Sequence, residues 1–191
     1  MRIIAGEFRG RRLLPPEGDT TRPITDRVKQ SLFDILTPLI PDAIVYDCFA
    51  GTGSMGLECL SRGAAQSTFF EADRSAAKRL EKNIATLGVG ERSKVVQGDL
   101  FKWFDAGSDA DKNAGADLIF LDPPYRFLVE KPQALQRLAE RAASHHLALE
   151  GIVILRRDAK DRIELPALER YDLREYGSMA IEFLRRSEVA P

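Results

Sequence analysis

The run FLDPPY at residues 120–125 sets an acid, two prolines and an aromatic ring at the end of an apolar stretch, Ala116 to Leu121, broken only by Asp117. The stretch reads as a buried strand, and a single proline would suffice to end it. A carboxylate followed by a stiff turn and a flat ring suits another task, the holding of an exocyclic amine on a base. Such an amine is a poor nucleophile, because its lone pair is delocalised into the ring. Two acceptors aimed at its N–H bonds keep it out of that conjugation and pointed at an electrophile. Asp122 supplies one acceptor and the backbone carbonyl of Pro123 the other. Pro123 and Pro124 have fixed φ, so the turn is set before the reaction begins. Tyr125 then offers a face on which a base can stack.

A second chemical signature lies upstream. Gly51-Thr52-Gly53-Ser54-Met55-Gly56 matches G-x-G-x-x-G between a strand-like Ile44–Cys48 and a helical Leu57-Glu58-Cys59-Leu60. Glycines there let the backbone turn tightly and approach a ligand. Glu71 ends the next strand, twenty residues after Gly51, where a carboxylate can accept from both hydroxyls of a ribose. Asp47 separates two nucleoside ligands. A dinucleotide brings a pyrophosphate to this helix N-terminus and gains nothing from a neighbouring carboxylate. S-adenosylmethionine carries no phosphate and has an ammonium and a sulfonium, which a carboxylate favours. Asp47 can equally bond loop amides. Asp99 ends the third strand and can either meet an adenine amino group or cap a helix.

These residues need a frame. Strands are expected at 44–48, 67–70, 94–96, 117–121 and 151–155, alternating with helices, the pattern of a parallel sheet. FLDPPY then ends the fourth strand, next to the first in a doubly wound order. Tyr171–Tyr176 and Met179–Leu184 are separated only by Gly177-Ser178, so an antiparallel hairpin should close the sheet. The fold class is therefore α/β, mostly parallel, with a C-terminal antiparallel hairpin. Residues 1–14 suggest a short hairpin around Gly6 and Gly10. Thr25 caps a helix whose inner stripe is Val28, Leu32, Ile35 and Leu36. Ala77, Leu80, Ile84 and Leu87 line a later helix that Gly88 stops, and Pro132 opens another.

The 191 residues suit one domain with a small appendage, and 44% hydrophobic with 30% charged residues is an ordinary globular composition. No apolar run reaches membrane-spanning length, and the N-terminus is no signal peptide. Cys48 and Cys59 fit small buried residues of a cytoplasmic protein. The net charge is −1, but residues 1–30 carry seven Arg/Lys against four Asp/Glu, a basic arm on a near-neutral body. Asp109-x-Asp111-x-Asn113 lacks the glycine and glutamate of a calcium loop, and His145-His146 lack partners for zinc. No metal is expected, and no covalent nucleophile.

DCFAGTGSMGLECLSRGA, FFEAD, QGD and FLDPPY, in this order, resemble class I S-adenosylmethionine-dependent methyltransferases with an (Asp/Asn)-Pro-Pro-Tyr motif. With the opening MRIIAGEFRGRRL, TRPITDRVKQSLFDIL and the closing YGSMAIEFLRR, the chain is similar to the RsmD family, bacterial guanine-N2 methyltransferases of 16S ribosomal RNA. The resemblance implies a Rossmann-like methyltransferase domain over 41–191 behind a hairpin-and-helix extension over 1–40. It implies that Asp47, Phe49, Ala50, Gly51, Thr52 and Gly53 surround the methionine part of S-adenosylmethionine. Glu71 would bind ribose, Asp99 with Leu100 would meet adenine, and Asp122 to Tyr125 would hold the guanine N2. Arg9, Arg11, Arg12, Arg22 and Arg27 are the expected phosphate contacts to ribosomal RNA, naked or within a small-subunit particle. Ile24, Cys48 and Arg156 depart from the family pattern, in which Thr, Leu and an acid are frequent there. An adenine-N6 methyltransferase is the nearest rival reading. A nicotinamide oxidoreductase on the same fold leaves DPPY idle, and a non-catalytic RNA-binding protein leaves the acids and glycines unexplained.

Overall fold

The computed structural model describes residues 1–16, 24–106 and 115–187. They fall into two compact units, Met1–Gly98 and Asp99–Pro191. The first holds β1 (Ile44–Cys48), β2 (Gln66–Glu71) and β3 (Ser93–Gln97), with α1 (Asp26–Leu36), α2 (Ser54–Ser61) and α3 (Arg74–Leu87). Its strands run parallel in the order β3-β2-β1. Asp47 pairs in register with Phe69 and Cys48 with Phe70, so the acid of β1 stands one step before the strand end.

Local chemistry accounts for the ends of these helices. Thr25 has extended backbone, and its hydroxyl accepts from the Val28 amide at 3.3 Å, with Asp26 in the first turn. Asp73 accepts from the Ala76 amide at 2.7 Å to start α3. Gly88, at φ +70°, ends α3, and the amides of Gly88 and Val89 return to the carbonyls of Ala85 and Ile84. The α3 stripe of Ala77, Leu80, Ile84 and Leu87 is buried as its spacing predicts. The α1 stripe is rotated from the expected one. Lys29, Leu32, Phe33 and Leu36 are buried, while Val28 and Ile35 are half-exposed. The rotation follows from Glu58, which offers Lys29 a buried partner at 2.9 Å.

The N-terminal segment is not a pair of strands. One antiparallel bridge, Arg2 to Arg12, closes a series of turns. Within it the amides of Ile3, Gly10 and Leu13 donate across the expected hairpin to the carbonyls of Arg11, Ile3 and Met1 at 2.9, 2.9 and 3.1 Å, and other amides are satisfied by α2. Ile4 and Ala5 donate to the Glu58 carboxylate at 2.8 and 3.0 Å, Glu7 to the Ser61 carbonyl at 2.7 Å and Phe8 to the Ser61 hydroxyl at 3.0 Å. Gly6 makes this contact possible, because a Cβ there would lie 1.9 Å from the Ser61 carbonyl oxygen.

The second unit holds α4 (Leu100–Asp105), β4 (Ala116–Leu121), α5 (Arg126–Glu130), α6 (Pro132–Arg141), a π turn (Ala142–His146), β5 (Leu147–Asp158), β6 (Leu168–Tyr176) and β7 (Met179–Arg186). Its strand order is β4-β5-β7-β6, with β4 and β5 parallel and the closing hairpin antiparallel. The mostly parallel α/β class with a terminal antiparallel hairpin therefore stands. The strand β5 begins four residues earlier and ends three later than 151–155. The helix α4 was foreseen only as the helix Asp99 could cap, and α5 was not expected, for five residues are too few to display a helical period. His146 is a core residue, its ring centroid 5.1 Å from Trp103 and 4.6 Å from Phe104. Burial holds its imidazole below the ordinary value of 6.5, and His145 adds to the shift. Cys48 and Cys59 are buried free thiols, pushed well up by desolvation. No helix among the described residues is long and apolar enough to cross a membrane.

Candidate functional site

In the first unit the glycine loop is tied at both ends by acids from strand termini. Glu71 Oε2 accepts from the Gly51 amide at 2.7 Å, and Oε1 accepts from the Asp73 amide at 2.7 Å. Asp47, 2% exposed, accepts from the Gly56 amide at 2.9 Å in the first turn of α2. Asp47 thus makes the loop-ordering bond that was one of its two readings. The Ala50 amide donates to the Phe70 carbonyl at 2.9 Å, and Gly53 donates back to Ala50 at 2.8 Å. Phe49 holds φ +64°, uncommon for a residue with a side chain. Gly56 brings α2 close to β2, since a Cβ there would meet the Phe69 ring and the Ser67 hydroxyl at 2.4 Å.

This loop fits a nucleoside cofactor. Nothing lies within 4 Å of the point where a Cβ on Gly51 would stand, so that residue faces open space beside the Glu71 carboxylate. A carboxylate has about four lone-pair sites. Two go to backbone amides here, and the others remain for hydroxyls.

Sequence reasoning missed Asn83. Its amide nitrogen donates to the Thr52 carbonyl at 3.0 Å, and its oxygen accepts from the Leu14 amide at 2.9 Å. One buried side chain therefore joins the N-terminal segment to the loop. A signal existed, for Asn83 occupies a stripe position between Leu80 and Leu87 where a polar residue is out of place.

The basic residues are arranged as follows. Arg9, Arg11 and Arg12 are exposed on the N-terminal turns and Arg27 on α1. Arg2 is engaged with Asp26 at 2.7 Å. Arg22 lies outside the described residues.

In the second unit, Asp99 Oδ1 accepts from the amides of Phe101 and Lys102 at 2.9 and 3.3 Å and so caps α4, while Leu100 is buried. The cap is one of the two readings open for Asp99. Asp122 follows β4, partly exposed, with Pro123 buried and Tyr125 partly exposed. The amides of Phe127 and Leu128 take the carbonyls of Pro124 and Tyr125 at 2.8 and 3.2 Å. No backbone amide among the described residues takes the Pro123 carbonyl. The turn is thus fixed from behind by α5. Arg156, at the C-terminal part of β5, donates through Nε to Asp122 Oδ1 at 2.6 Å, and its Nη2 lies 2.6 Å from Oδ2. This bidentate pair, too, was not anticipated.

A family model described as conserved hypothetical protein 95 matches residues 1–185. The chain belongs to this family, the RsmD family. One relative is ribosomal RNA small subunit methyltransferase D of Escherichia coli K12, 44% identical over 66% of this chain. That match covers 61% of the relative, so it spans under two thirds of the relative's length. The Bacillus subtilis protein YlbH, provisionally named as an rRNA methyltransferase, is 34% identical over 87% of this chain and 86% of its own. Among solved structures, Escherichia coli yhhF, provisionally named as a methyltransferase, superposes with TM-score 0.81 at 34% identity, covering 97% of each chain. The RsmD family resemblance of the sequence and its Rossmann-like methyltransferase fold are therefore established.

Proposed function

We propose that this protein transfers a methyl group from S-adenosylmethionine to the exocyclic N2 of a guanine in small-subunit ribosomal RNA. The observation that carries the reading is the Asp122-Pro-Pro-Tyr125 turn, an acceptor-rich structure fixed at a strand end in a chain with a nucleoside-type glycine loop. Membership of the RsmD family, with relatives named for rRNA methylation, supports the substrate class.

Asp47, Phe49, Ala50, Gly51, Thr52 and Gly53 would surround the methionine part of the cofactor. Glu71 would hold the ribose hydroxyls, and Asp99 with Leu100 the adenine. When bound, S-adenosylmethionine supplies a methyl on a positively charged sulfur, which departs as a neutral thioether once its methyl is taken. Asp122 and the Pro123 carbonyl accept the two N–H bonds of the amine and free its lone pair for attack. Tyr125 stacks on the base, which has left its paired or stacked position to reach the turn. The nitrogen that gains the methyl sheds one proton, to water or to Asp122. No covalent enzyme adduct is needed, so the residues contribute by positioning. Residues 1–40 serve as the RNA-binding extension, through Arg9, Arg11, Arg12, Arg22 and Arg27, and 41–191 as the cytoplasmic methyltransferase domain.

The test is transfer of labelled methyl to small-subunit rRNA, naked and as assembled particle, followed by mapping of the modified base. Label on guanine N2 is expected. Label on adenine N6 would identify the amine chemistry but overturn the guanine assignment. Absence of label from both substrates, with S-adenosylmethionine bound, would overturn the enzymatic reading.

A further inference from the structure

We propose that Arg156 is a positioning residue for methyl transfer, holding the Asp122 carboxylate in the orientation from which it accepts the target amine. The inference rests on the role proposed for Asp122 above.

Strand register creates the contact. The parallel pairing of β4 and β5 sets Leu121 opposite Leu155, so the residues one step on, Asp122 and Arg156, emerge side by side. Aligned residues of neighbouring strands point to the same face. Arg156 is also paired to Ile181 of β7, so its backbone is held on both sides. The next residue, Arg157, points the other way and engages Glu182. The two arginines therefore have separate partners on opposite faces.

The geometry of the pair is that of an orienting fork. Nε and Nη2 each meet a different carboxylate oxygen at 2.6 Å. An isolated aspartate has a broad, soft torsion at its carboxylate, which turns with little resistance. Two parallel bonds from a planar guanidinium fix that plane. The side chains are 11% and 19% exposed, so water competes only weakly for the fork. The guanidinium takes two of about four lone-pair sites on the carboxylate. The remaining sites have a fixed direction and can accept an N–H of the amine. Lysine could not reproduce this, because an ammonium is a point donor without a planar fork.

The test is single-turnover methyl transfer to rRNA at saturating RNA and cofactor. It compares the native enzyme with Arg156→Gln, Arg156→Lys, Asp122→Ala and the double variant Arg156→Gln/Asp122→Ala. Affinities for RNA and S-adenosylmethionine are measured alongside, and circular dichroism reports folding. Arg156→Gln is expected to lower the transfer rate by about tenfold to a hundredfold, the loss typical of a slightly misplaced reacting group, with both affinities unchanged. Arg156→Lys should fall between native and Gln. The double variant should be no slower than Asp122→Ala, because Arg156 acts only through Asp122. An Arg156→Gln rate equal to or above native, beside an impaired Asp122→Ala, overturns the inference and leaves the role of Asp122 standing. A faster rate would mark the pair as a latch. Multiplying losses in the double variant also overturn it. Native rates in Asp122→Ala remove the underlying reading instead. If Arg156→Gln does not fold, Arg156→Lys decides alone, since an unaltered rate there excludes a role for the fork.

Discussion

Glu58 is fully buried with the ammonium of Lys29 2.9 Å from its Oε2 and the Nε of Arg62 2.9 Å from its Oε1. The same carboxylate accepts the amides of Ile4 and Ala5, so it fastens the N-terminal segment and α1 to α2. Burial lowers the Lys29 pKa from its usual 10.5, and the attraction of Glu58 only partly offsets this. Glu58→Ala would leave an uncompensated buried ammonium and two unpaired amides. The unfolding free energy is expected to fall by about 3–5 kcal/mol. Urea denaturation measures it, and an unmoved midpoint would refute the account of this cluster.

The linkage for Lys29 has a definite sign. Its folded pKa lies below the unfolded value, so between the two the unfolded chain binds the extra proton and stability rises with pH. This contribution is present above 10.5 and is lost as pH falls through the folded value. Lys29→Met should flatten stability against pH on the alkaline side. An unaltered pH profile would show that Lys29 titrates alike in both states.

Glu71 accepts two backbone amides, of Gly51 and Asp73, and is the proposed holder of the ribose. Removing charge-assisted bonds worth about 1.5–3 kcal/mol each should weaken S-adenosylmethionine binding tenfold or more in Glu71→Ala. Calorimetry reads this directly. Unchanged affinity would take Glu71 out of the site.

Arg9, Arg11 and Arg12 are exposed together on the N-terminal turns. Replacing all three by Ala should reduce the salt dependence of RNA binding by about 2 units of slope for three single-strand phosphate contacts. Cofactor affinity should stay the same. An RNA affinity and slope equal to native would leave these arginines as solvated surface.

Much of this molecule is legible in its sequence because the signals are local. Gly88 stops α3 and Pro132 opens α6 through backbone chemistry that needs no distant partner. The G-x-G-x-x-G run and DPPY keep their meaning wherever they occur, and both fall at strand ends. What escaped depends on register or on distant pairing. Lys29 reads as a solvated charge until Glu58, 29 residues on, is brought beneath it. Arg156 and Asp122 are 34 residues apart, and only the offset of β4 against β5 brings them together. The ends of β5 escaped because Glu150 interrupts its apolar run on one side and the charged Arg156, Arg157 and Asp158 follow it on the other. The amide bonds of Asp47 and Asp99 were among the readings their positions left open, whereas those of Glu71 to Gly51 and Asp73 appear only in three dimensions.

The central claim is that the DPPY turn is chemical machinery and not a plain strand end. Tyr125→Phe keeps the ring and should keep most activity, whereas Tyr125→Ala loses base stacking worth about 1–3 kcal/mol and should weaken productive RNA binding. The most direct measurement is single-turnover methyl transfer by a folded Asp122→Ala protein at saturating RNA and S-adenosylmethionine. Loss of an oriented acceptor at the moment of transfer predicts a rate lowered by about a hundredfold or more, with S-adenosylmethionine still bound. A rate near that of the native enzyme would contradict the account and reduce residues 120–125 to a turn.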